Sequence, residues 1–136
     1  MQCENRYAIY LRKSREDLEA EKYGAGETLA AHEKMLKNLA IERGLLVGEI
    51  YREVVSGDTI SERAEMKRLL KDVENKKWAG VLVTEIERLA RGNTIDQGIV
   101  ADAFKCSHTK IITLMQTYDL DNEFDEDNIE FRFIYV

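Results

Sequence analysis

The chain has 136 residues, a length suited to one domain that can bury a substantial core. Its 20 Lys and Arg residues against 26 Asp and Glu residues leave a net charge of −6, which argues against a surface that grips nucleic acid as a whole. Any phosphate chemistry must then depend on a local cluster of cations. No apolar run approaches the roughly 20 residues of a membrane span, no signal peptide is evident, and two cysteines are too few for a disulfide framework, so we expect a cytoplasmic protein.

The N-terminal half alternates between strand-like and helix-like segments. In chain order we expect a strand over 7–11, a polar loop over 13–27, a helix over 28–43, a strand over 45–55 and a helix over 61–76. Thr28 can cap the first helix and Gly44 can end it. In the second helix, four apolar residues recur at the spacing of one buried face, namely Met66, Leu69, Leu70 and Val73.

The C-terminal half continues the alternation and then becomes acidic. In chain order we expect a strand over 80–83, a helix that Asn93 caps and that carries Ile95, Ile99 and Ala103, a strand over 110–115 and an acidic loop over 119–127. This order predicts an α/β fold of three layers, in which a mostly parallel central sheet of four to five strands carries helices on both faces. Because the chain stops on apolar residues, we expect residues 1–136 to be one domain cut from a longer polypeptide.

Arg12 and Ser14 follow the first strand directly, at the end where open parallel sheets place their ligands. Alternation along an extended chain puts both side chains on the same side. An arginine can hold the oxygens of a phosphate while a serine hydroxyl attacks the phosphorus. Arg-x-Ser is a common tripeptide, however, and a serine at this place can equally cap a turn or face solvent.

Further arginines follow the second and third strands. Arg88 and Arg91 stand one helical turn apart, just ahead of the next helix, and Arg63 lies on the first turn of an earlier helix. A helix N-terminus reinforces an anion site through its free amides and its dipole. The alternative is a surface turn in which Arg88 and Arg91 pair with the carboxylates of Glu85 and Glu87.

The predicted topology favours a common site for these residues. In a parallel sheet the loops after the first three strands open at one edge, where the candidates Arg12, Ser14, Arg63, Arg88 and Arg91 can meet. Like charges repel one another unless an anion binds between them, and arginines can stabilise charge on a phosphodiester without a metal. His32 and His108 are isolated in the sequence and the acidic segment has no calcium-loop pattern, so we expect neither a metal nor a cofactor.

Three motifs occur in order along nearly the whole chain: Tyr10-x-Arg12-x-Ser14, Ser56-Gly57 followed by Arg63 and Leu69-Leu70, and Val81-Leu82-Val83 followed by Glu87-Arg88-Leu89-x-Arg91. Together they resemble the catalytic domain of the serine recombinases, the resolvase and invertase superfamily. The resemblance implies a site-specific recombinase in which Ser14 is the nucleophile that attacks DNA and becomes joined to the 5′ phosphate.

The resemblance also implies roles for the other residues and for partners. The scissile phosphate would be bound and activated by Arg12, Arg63, Arg88 and Arg91. Glu87 stands where the family has aspartate, and its carboxylate is a candidate for proton transfer to the leaving group. Strand exchange would occur in a tetramer formed from homodimers on DNA, and no ATP is needed because the phosphoserine ester keeps the bond energy.

The chain departs from the common family pattern at several positions. His32 stands where glutamine is common, and Ala64 stands where proline is frequent. The long loop before Thr28 and the acidic stretch 118–133 are more like the large serine recombinases, the integrases and transposases of bacterial and phage mobile elements. In such proteins the DNA-reading region and a long dimerisation helix would lie outside residues 1–136.

Two functions of other classes share the predicted β/α alternation. A flavodoxin-like or receiver-type binding module is one, although a receiver needs acidic residues at the strand ends where this chain has arginines. A small phosphatase with a serine nucleophile is the other, and it would favour one compact phosphate loop over three separate arginine loops. Hydrolysis of a small phosphate ester without a covalent protein–DNA adduct would identify the phosphatase.

Overall fold

The computed structural model describes residues 6–13, 22, 24, 29–54, 63–89 and 94–119, apart from the side chains of Glu87 and of residues 94–96. Their strands are β1 (Arg6–Lys13), β2 (Leu46–Val54), β3 (Gly80–Leu82), β4 (Lys110–Ile112) and β5 (Thr117–Tyr118). Their helices are α1 (Leu29–Arg43), α2 (Ala64–Glu74) and α3 (Thr94–Ser107), with a 3-10 turn over Ile86–Arg88. Within these ranges no helix has the length and apolar character needed to cross a membrane.

The strands form one sheet in the order β2-β1-β3-β4-β5. β1 pairs in parallel with β2 and with β3, β3 pairs in parallel with β4, and β5 runs antiparallel to β4. The chain leaves β1 toward β2 on one side and later crosses to β3 on the other side of β1. The carboxyl ends of β1 and β3 therefore border the point where the connections diverge, which is where open α/β sheets form a ligand crevice.

Helices cover both faces of the sheet, because successive residues of β1 point to opposite faces. Ile9 and Leu11 pack with Leu36 of α1 on one face. Ala8 and Tyr10 belong to the opposite cluster, which contains the buried apolar residues of α2 and α3, namely Met66, Leu69, Leu70, Val73, Val100, Ala103 and Phe104. The predicted three-layer α/β fold with a mostly parallel sheet is thereby confirmed.

The first two helices agree closely with the sequence pattern. Gly44 follows α1 with a φ of +67°, a left-handed conformation that glycine adopts without strain and that ends the helix as predicted. Thr28, the predicted N-cap of α1, lies outside the described residues. α2 buries the predicted apolar face but begins at Ala64, so Arg63 precedes the helix instead of standing on its first turn.

The apolar residues that the sequence places on α3 are not all buried. The Ile99 side chain is 44% exposed, and the helix buries Val100, Ala103 and Phe104 instead. Both sets of residues recur at helical spacing, but burying the larger Phe104 ring against α2 removes more apolar surface from water. Asn93, the predicted cap of this helix, lies outside the described residues, as does the side chain of Ile95.

The fourth strand is shorter than the sequence suggests and turns back on itself. The chain leaves β4 at Thr113, whose Oγ1 accepts hydrogen bonds from the backbone N–H groups of Met115 at 3.2 Å and Gln116 at 3.1 Å. Threonine side chains that bond to nearby backbone compete with strand pairing and favour a turn. The turn produces the antiparallel edge strand β5, for which the sequence predicted no strand at residues 117–118.

Candidate active site

The carboxyl end of β1 and the turn after β3 are joined by two arginines. Arg12 follows Tyr10 on the face of the sheet that α2 and α3 cover, and it is only 7% exposed. Its Nε donates to the carbonyl oxygen of Arg88 at 3.3 Å, and Nη1 of Arg88 donates to the carbonyl oxygen of Arg12 at 3.5 Å. Each arginine thus holds the backbone of the other, which confirms for this pair the predicted meeting at one sheet edge.

The 3-10 turn that carries Arg88 is anchored from its apolar side. Ile86 and Leu89 are almost fully buried, and both point into the core because a 3-10 helix repeats every three residues. On the outer side, Nε of Arg88 donates to Oε1 of Glu85 at 3.3 Å. The Arg88 side chain is 24% exposed, so solvent and a ligand can reach it while its backbone stays fixed.

The side chain of Arg63 contacts the same turn from the protein interior. Its side chain is 1% exposed, which excludes the ordinary solvated helix position that a lone arginine usually takes. Its Nη2 donates to the carbonyl oxygens of Arg88 at 2.8 Å and Leu89 at 2.9 Å. The Arg88 carbonyl oxygen therefore receives bonds from both Arg12 and Arg63, so arginines from three separate parts of the chain meet around one backbone group.

Tyr10 and Glu53 complete this cluster, although the sequence reasoning assigned neither of them a role. The hydroxyl of Tyr10 donates to Oε1 of Glu53 at 2.6 Å and accepts hydrogen bonds from Nε and Nη2 of Arg63 at 3.3 and 3.0 Å. Glu53 is 4% exposed, and its Oε1 lies 3.8 Å from Nε of Arg63. The buried cation thus has a buried anion beside it, as buried charges require.

Glu53 also caps α2. Its Oε2 accepts from the backbone N–H of Glu65 at 2.8 Å and its Oε1 from that of Met66 at 3.2 Å. Arg63 occupies the N-cap position but makes no side-chain cap bond, so a carboxylate from β2 satisfies these free N–H groups instead. One sequence signal could have revealed it: Glu53 lies two residues after buried Tyr51, on the core side of the strand.

The hydroxyl of Tyr10 stays protonated in this environment. Burial is the main cause that raises the pKa of the phenol far above its ordinary value of 10.0, the Arg63 charge opposes this rise, and the hydrogen bond to Glu53 adds to it. A neutral phenol can donate one hydrogen bond and accept others. Tyr10 therefore donates to Glu53 while it accepts from Arg63.

Several predicted residues are placed elsewhere or not described. Ser14 and Arg91 lie outside the described residues, as does the side chain of Glu87, so their roles stay predictions. His32 is 9% exposed on the inner side of α1, the position of a helix-packing residue. Among the described residues, no three His, Cys, Asp or Glu side chains are grouped so that they could hold a metal ion.

Comparison with known proteins decides the family. Residues 7–134 match the family model described as "Resolvase, N terminal domain", so the chain belongs to the resolvase family. This match confirms the resemblance drawn from the three motifs. The chain is thus the catalytic domain of a site-specific serine recombinase, an enzyme that acts on DNA.

Solved structures agree with this assignment. The N-terminal catalytic domain of TP901-1 integrase is 25% identical, with a TM-score of 0.71 over 93% of this chain and 89% of that chain. The C-terminal catalytic domain of ISC1926 TnpA, an IS607-like serine recombinase, is 25% identical, with a TM-score of 0.64 over 93% and 79%. A resolvase family site-specific recombinase from Streptococcus pneumoniae shares the fold at 18% identity, with a TM-score of 0.63 over 93% and 91%.

Family membership separates the recombinase from the two alternatives. The strand order 2-1-3-4-5 is also that of flavodoxin-like folds, so topology alone does not exclude a binding module. The family match and the arginines at the switch point together favour chemistry on DNA over a receiver-type module or a small phosphatase.

Proposed function

We propose that this chain cleaves and rejoins DNA, without a metal, through a covalent 5′-phosphoserine at Ser14. In cleavage a bond forms between Oγ of Ser14 and the phosphorus, and the bond from phosphorus to the 3′ oxygen breaks. The serine hydroxyl loses its proton, and the departing 3′ oxygen gains one. In rejoining, a 3′ hydroxyl attacks the phosphoserine and reverses these changes, so the ester supplies the energy and no ATP or other cofactor takes part.

The observation that carries this proposal is the reciprocal bonding of Arg12 and Arg88 at the crevice between β1 and β3. These bonds use Nε of Arg12 and Nη1 of Arg88 and hold both guanidinium groups at the end of the strand that leads to Ser14. Arginine donors placed where charge develops stabilise the equatorial oxygens of a phosphate in the transition state. We assign Arg91, three residues after Arg88 in the sequence, to the same phosphate.

Glu87 and Arg63 take supporting parts in the proposal. Glu87 precedes Arg88 in the 3-10 turn, so its carboxylate is a candidate to transfer the proton of the leaving 3′ oxygen. Nε and Nη2 of Arg63 donate to protein atoms, so we assign this residue to holding the turn and not to direct contact with the phosphate.

The assembly and place of action extend the proposal. We propose that homodimers join into a tetramer on DNA for strand exchange, and that segments outside residues 1–136 read the target sequence. Because the net charge is −6, a local arginine site must be brought to DNA by such additional contacts. We place the protein in the cytoplasm, where the DNA of bacterial and phage mobile elements lies.

Replacement of the nucleophile is the direct test. Ser14→Ala should fold normally and form no adduct when the full-length protein is incubated with a plasmid library of source-genome DNA. Mass spectrometry after nuclease digestion should find a nucleotide attached to Ser14 in the wild-type protein. Ser107→Ala is the matched control, because the Ser107 hydroxyl bonds to the carbonyl of Ala103 within α3. Cleavage by the Ser14→Ala protein would contradict the assignment, and Ser56 and Ser61 would then be the next candidates for the nucleophile.

Charge-conserving replacements test the phosphate ligands. Arg12→Lys and Arg88→Lys should each lower the cleavage rate by about 10²–10³, because lysine cannot hold two oxygens with a planar donor pair. Arg52→Lys, at an exposed position of β2, should change the rate little. Wild-type activity should survive EDTA. Full activity of the two lysine variants, or loss of activity in EDTA, would indicate a metal-dependent nuclease instead.

A further inference from the structure

We propose that the Glu85 carboxylate is the resident anion of this site: it holds a donor of Arg88 while the protein is free of DNA, and the scissile phosphate displaces it. This inference rests on the proposed function, since it assumes that Arg88 binds the scissile phosphate. It reverses the effect expected of a catalytic carboxylate, because loss of the Glu85 charge should strengthen DNA binding and cleavage at low DNA concentration.

The first step is the position of Glu85 in the turn after β3. Glu85 has an extended backbone and stands directly before the 3-10 turn, where its carbonyl oxygen accepts from the backbone N–H of Arg88 at 3.1 Å. Residues three apart lie above one another in a 3-10 turn, so the two side chains point to the same side. The Glu85 side chain is 49% exposed, and its carboxylate therefore lies on the solvent side of the site from which DNA approaches Arg88.

The second step concerns which donors of Arg88 are engaged. A guanidinium group offers two edges that can each hold two oxygens, one formed by Nε with Nη2 and the other by Nη1 with Nη2. Glu85 accepts from Nε on the first edge, and the carbonyl oxygen of Arg12 accepts from Nη1 on the second. The Arg12 carbonyl belongs to the backbone of β1 and cannot turn away, whereas the Glu85 side chain can. A phosphate that holds Arg88 through its Nε edge therefore displaces Glu85.

The third step compares this contact with another arginine–glutamate pair of the same protein. Arg52 binds Glu33 through both atoms of its Nε edge, with Nε to Oε1 at 2.8 Å and Nη2 to Oε2 at 2.9 Å. The bond from Nε of Arg88 to Glu85 is 3.3 Å long, outside the usual range of about 2.7–3.2 Å for such bonds. The Glu85 contact is therefore the weaker of the two and the more easily exchanged for another anion.

The balance of charge explains why the free site needs such an anion and why DNA can replace it. Arg12, Arg63 and Arg88 converge on one backbone group, and Glu53 lies near the Arg63 cation only. Glu85 places a second negative charge at Arg88, which reduces the repulsion between the cations before DNA binds. Once a phosphate lies on Arg88, the two anions repel each other. Releasing Glu85 into water then costs little, because exposed ion pairs shift an equilibrium by less than about 5-fold.

Glu85→Gln tests the proposal, because it removes the charge and keeps the size of the side chain. We expect this variant to bind DNA about 2- to 10-fold more tightly and to form the Ser14 adduct faster by the same factor when DNA is below saturation. At saturating DNA the rate should change less than about 2-fold, since Glu85 competes for binding and takes no part in bond breaking. Glu42→Gln is the matched control: Glu42 is exposed near the end of α1, which leads into the opposite end of the strands, and its loss changes the net charge equally.

The experiment measures adduct formation by the full-length protein over a range of concentrations of a DNA duplex whose cleavage site is mapped with the wild-type protein. A second duplex carries sulfur in place of the 3′ bridging oxygen, which leaves without needing a proton. Slower cleavage by Glu85→Gln that recovers on the sulfur duplex would overturn the inference, because Glu85 would then be a proton donor. Equal slowing on both duplexes would overturn it as well, since Glu85 would then hold Arg88 in place for the phosphate.

Two other results separate this inference from the proposed function. Equal DNA affinity of the Glu85→Gln and Glu42→Gln proteins would overturn the inference while the proposed function stands. Absence of any adduct from the wild-type protein would instead refute the proposed function, and NMR then tests the anion exchange alone. Inorganic phosphate should shift the side-chain Nε–H resonance that is missing from Arg88→Lys, at about 2- to 10-fold lower concentration in Glu85→Gln than in Glu42→Gln. Equal concentrations would overturn the inference.

Discussion

Replacing Arg63 by methionine tests whether the buried cluster holds the protein together. Methionine has a comparable volume and a flexible, unbranched side chain, so the cavity that it leaves is small and the main cost is electrostatic. In the Arg63→Met protein the Glu53 carboxylate remains buried without its cation, and the carbonyl oxygen of Leu89 loses the Arg63 donor. Removing one partner of a buried ion pair costs about 3–5 kcal/mol.

This loss is large beside the total stability of an ordinary domain, which is about 5–15 kcal/mol. For a chain of 136 residues it corresponds to a fall of about 10–20 °C in the melting temperature. Arg68→Met is the matched control, because Arg68 pairs with Glu49 and Glu65 at a surface where its side chain is 44% exposed. Such exposed pairs contribute about 1 kcal/mol or less.

Urea unfolding followed by tryptophan fluorescence measures both variants. Trp78 is the single tryptophan and is 4% exposed, so its emission reports the loss of the core directly. Adding Glu53→Gln to Arg63→Met removes the orphaned charge, so the combined loss should be smaller than the sum of the single losses by about 0.5–3 kcal/mol. Stability of Arg63→Met within about 1 kcal/mol of the wild type, or strict additivity, would refute the reasoning.

Three further predictions concern packing, pH and DNA binding. Gly48→Ala should lower stability by about 1–3 kcal/mol, because a Cβ there would lie 2.6 Å from Cζ3 of Trp78. Gly98→Ala should instead raise stability by about 0.5–1 kcal/mol, because a Cβ at that helix position would have no atom within 4 Å. Equal effects of the two substitutions would contradict this packing argument. The hydrogen bond from Arg52 lowers the pKa of Glu33 from 4.5 to about 2, so Glu33 stabilises the fold above its ordinary pKa and the contribution is lost as pH falls toward 2. In urea unfolding the wild-type protein should be more stable than the Glu33→Gln variant by less than about 1 kcal/mol at neutral pH, and this difference should vanish at low pH. A difference that stays constant with pH would show that the ion pair does not cause it. In gel-shift assays the 136-residue chain alone should bind DNA weakly because of its charge of −6, and tight sequence-specific binding would show that it reads DNA itself.

Much of the fold could be predicted from the sequence because the strands and helices depend on local patterns of residues. The apolar run before Arg12, the glycine stop at Gly44 and the helical spacing of Met66 to Val73 depend on residues only a few positions apart. The same local patterns placed Arg12 and Arg88 after parallel strands and hence at one edge of the sheet. That edge prediction is confirmed by the bonds between Arg12 and Arg88.

Only the tertiary structure decided which buried residues pack beside Arg12 and Arg88 at that edge of the sheet. The Tyr10–Glu53 bond joins residues 43 positions apart, and the bond from Arg63 to Tyr10 spans 53 positions. Such contacts depend on the strand order, which places β2 and β3 on either side of β1, and the alternation of strands and helices is compatible with several orders. The sequence by itself therefore determined the residue types, the elements and the family motifs. Whether Arg63 lies in solvent or is buried against Glu53 was decided by packing, because a buried charge is stable only where an opposite charge and hydrogen-bond partners meet it in space.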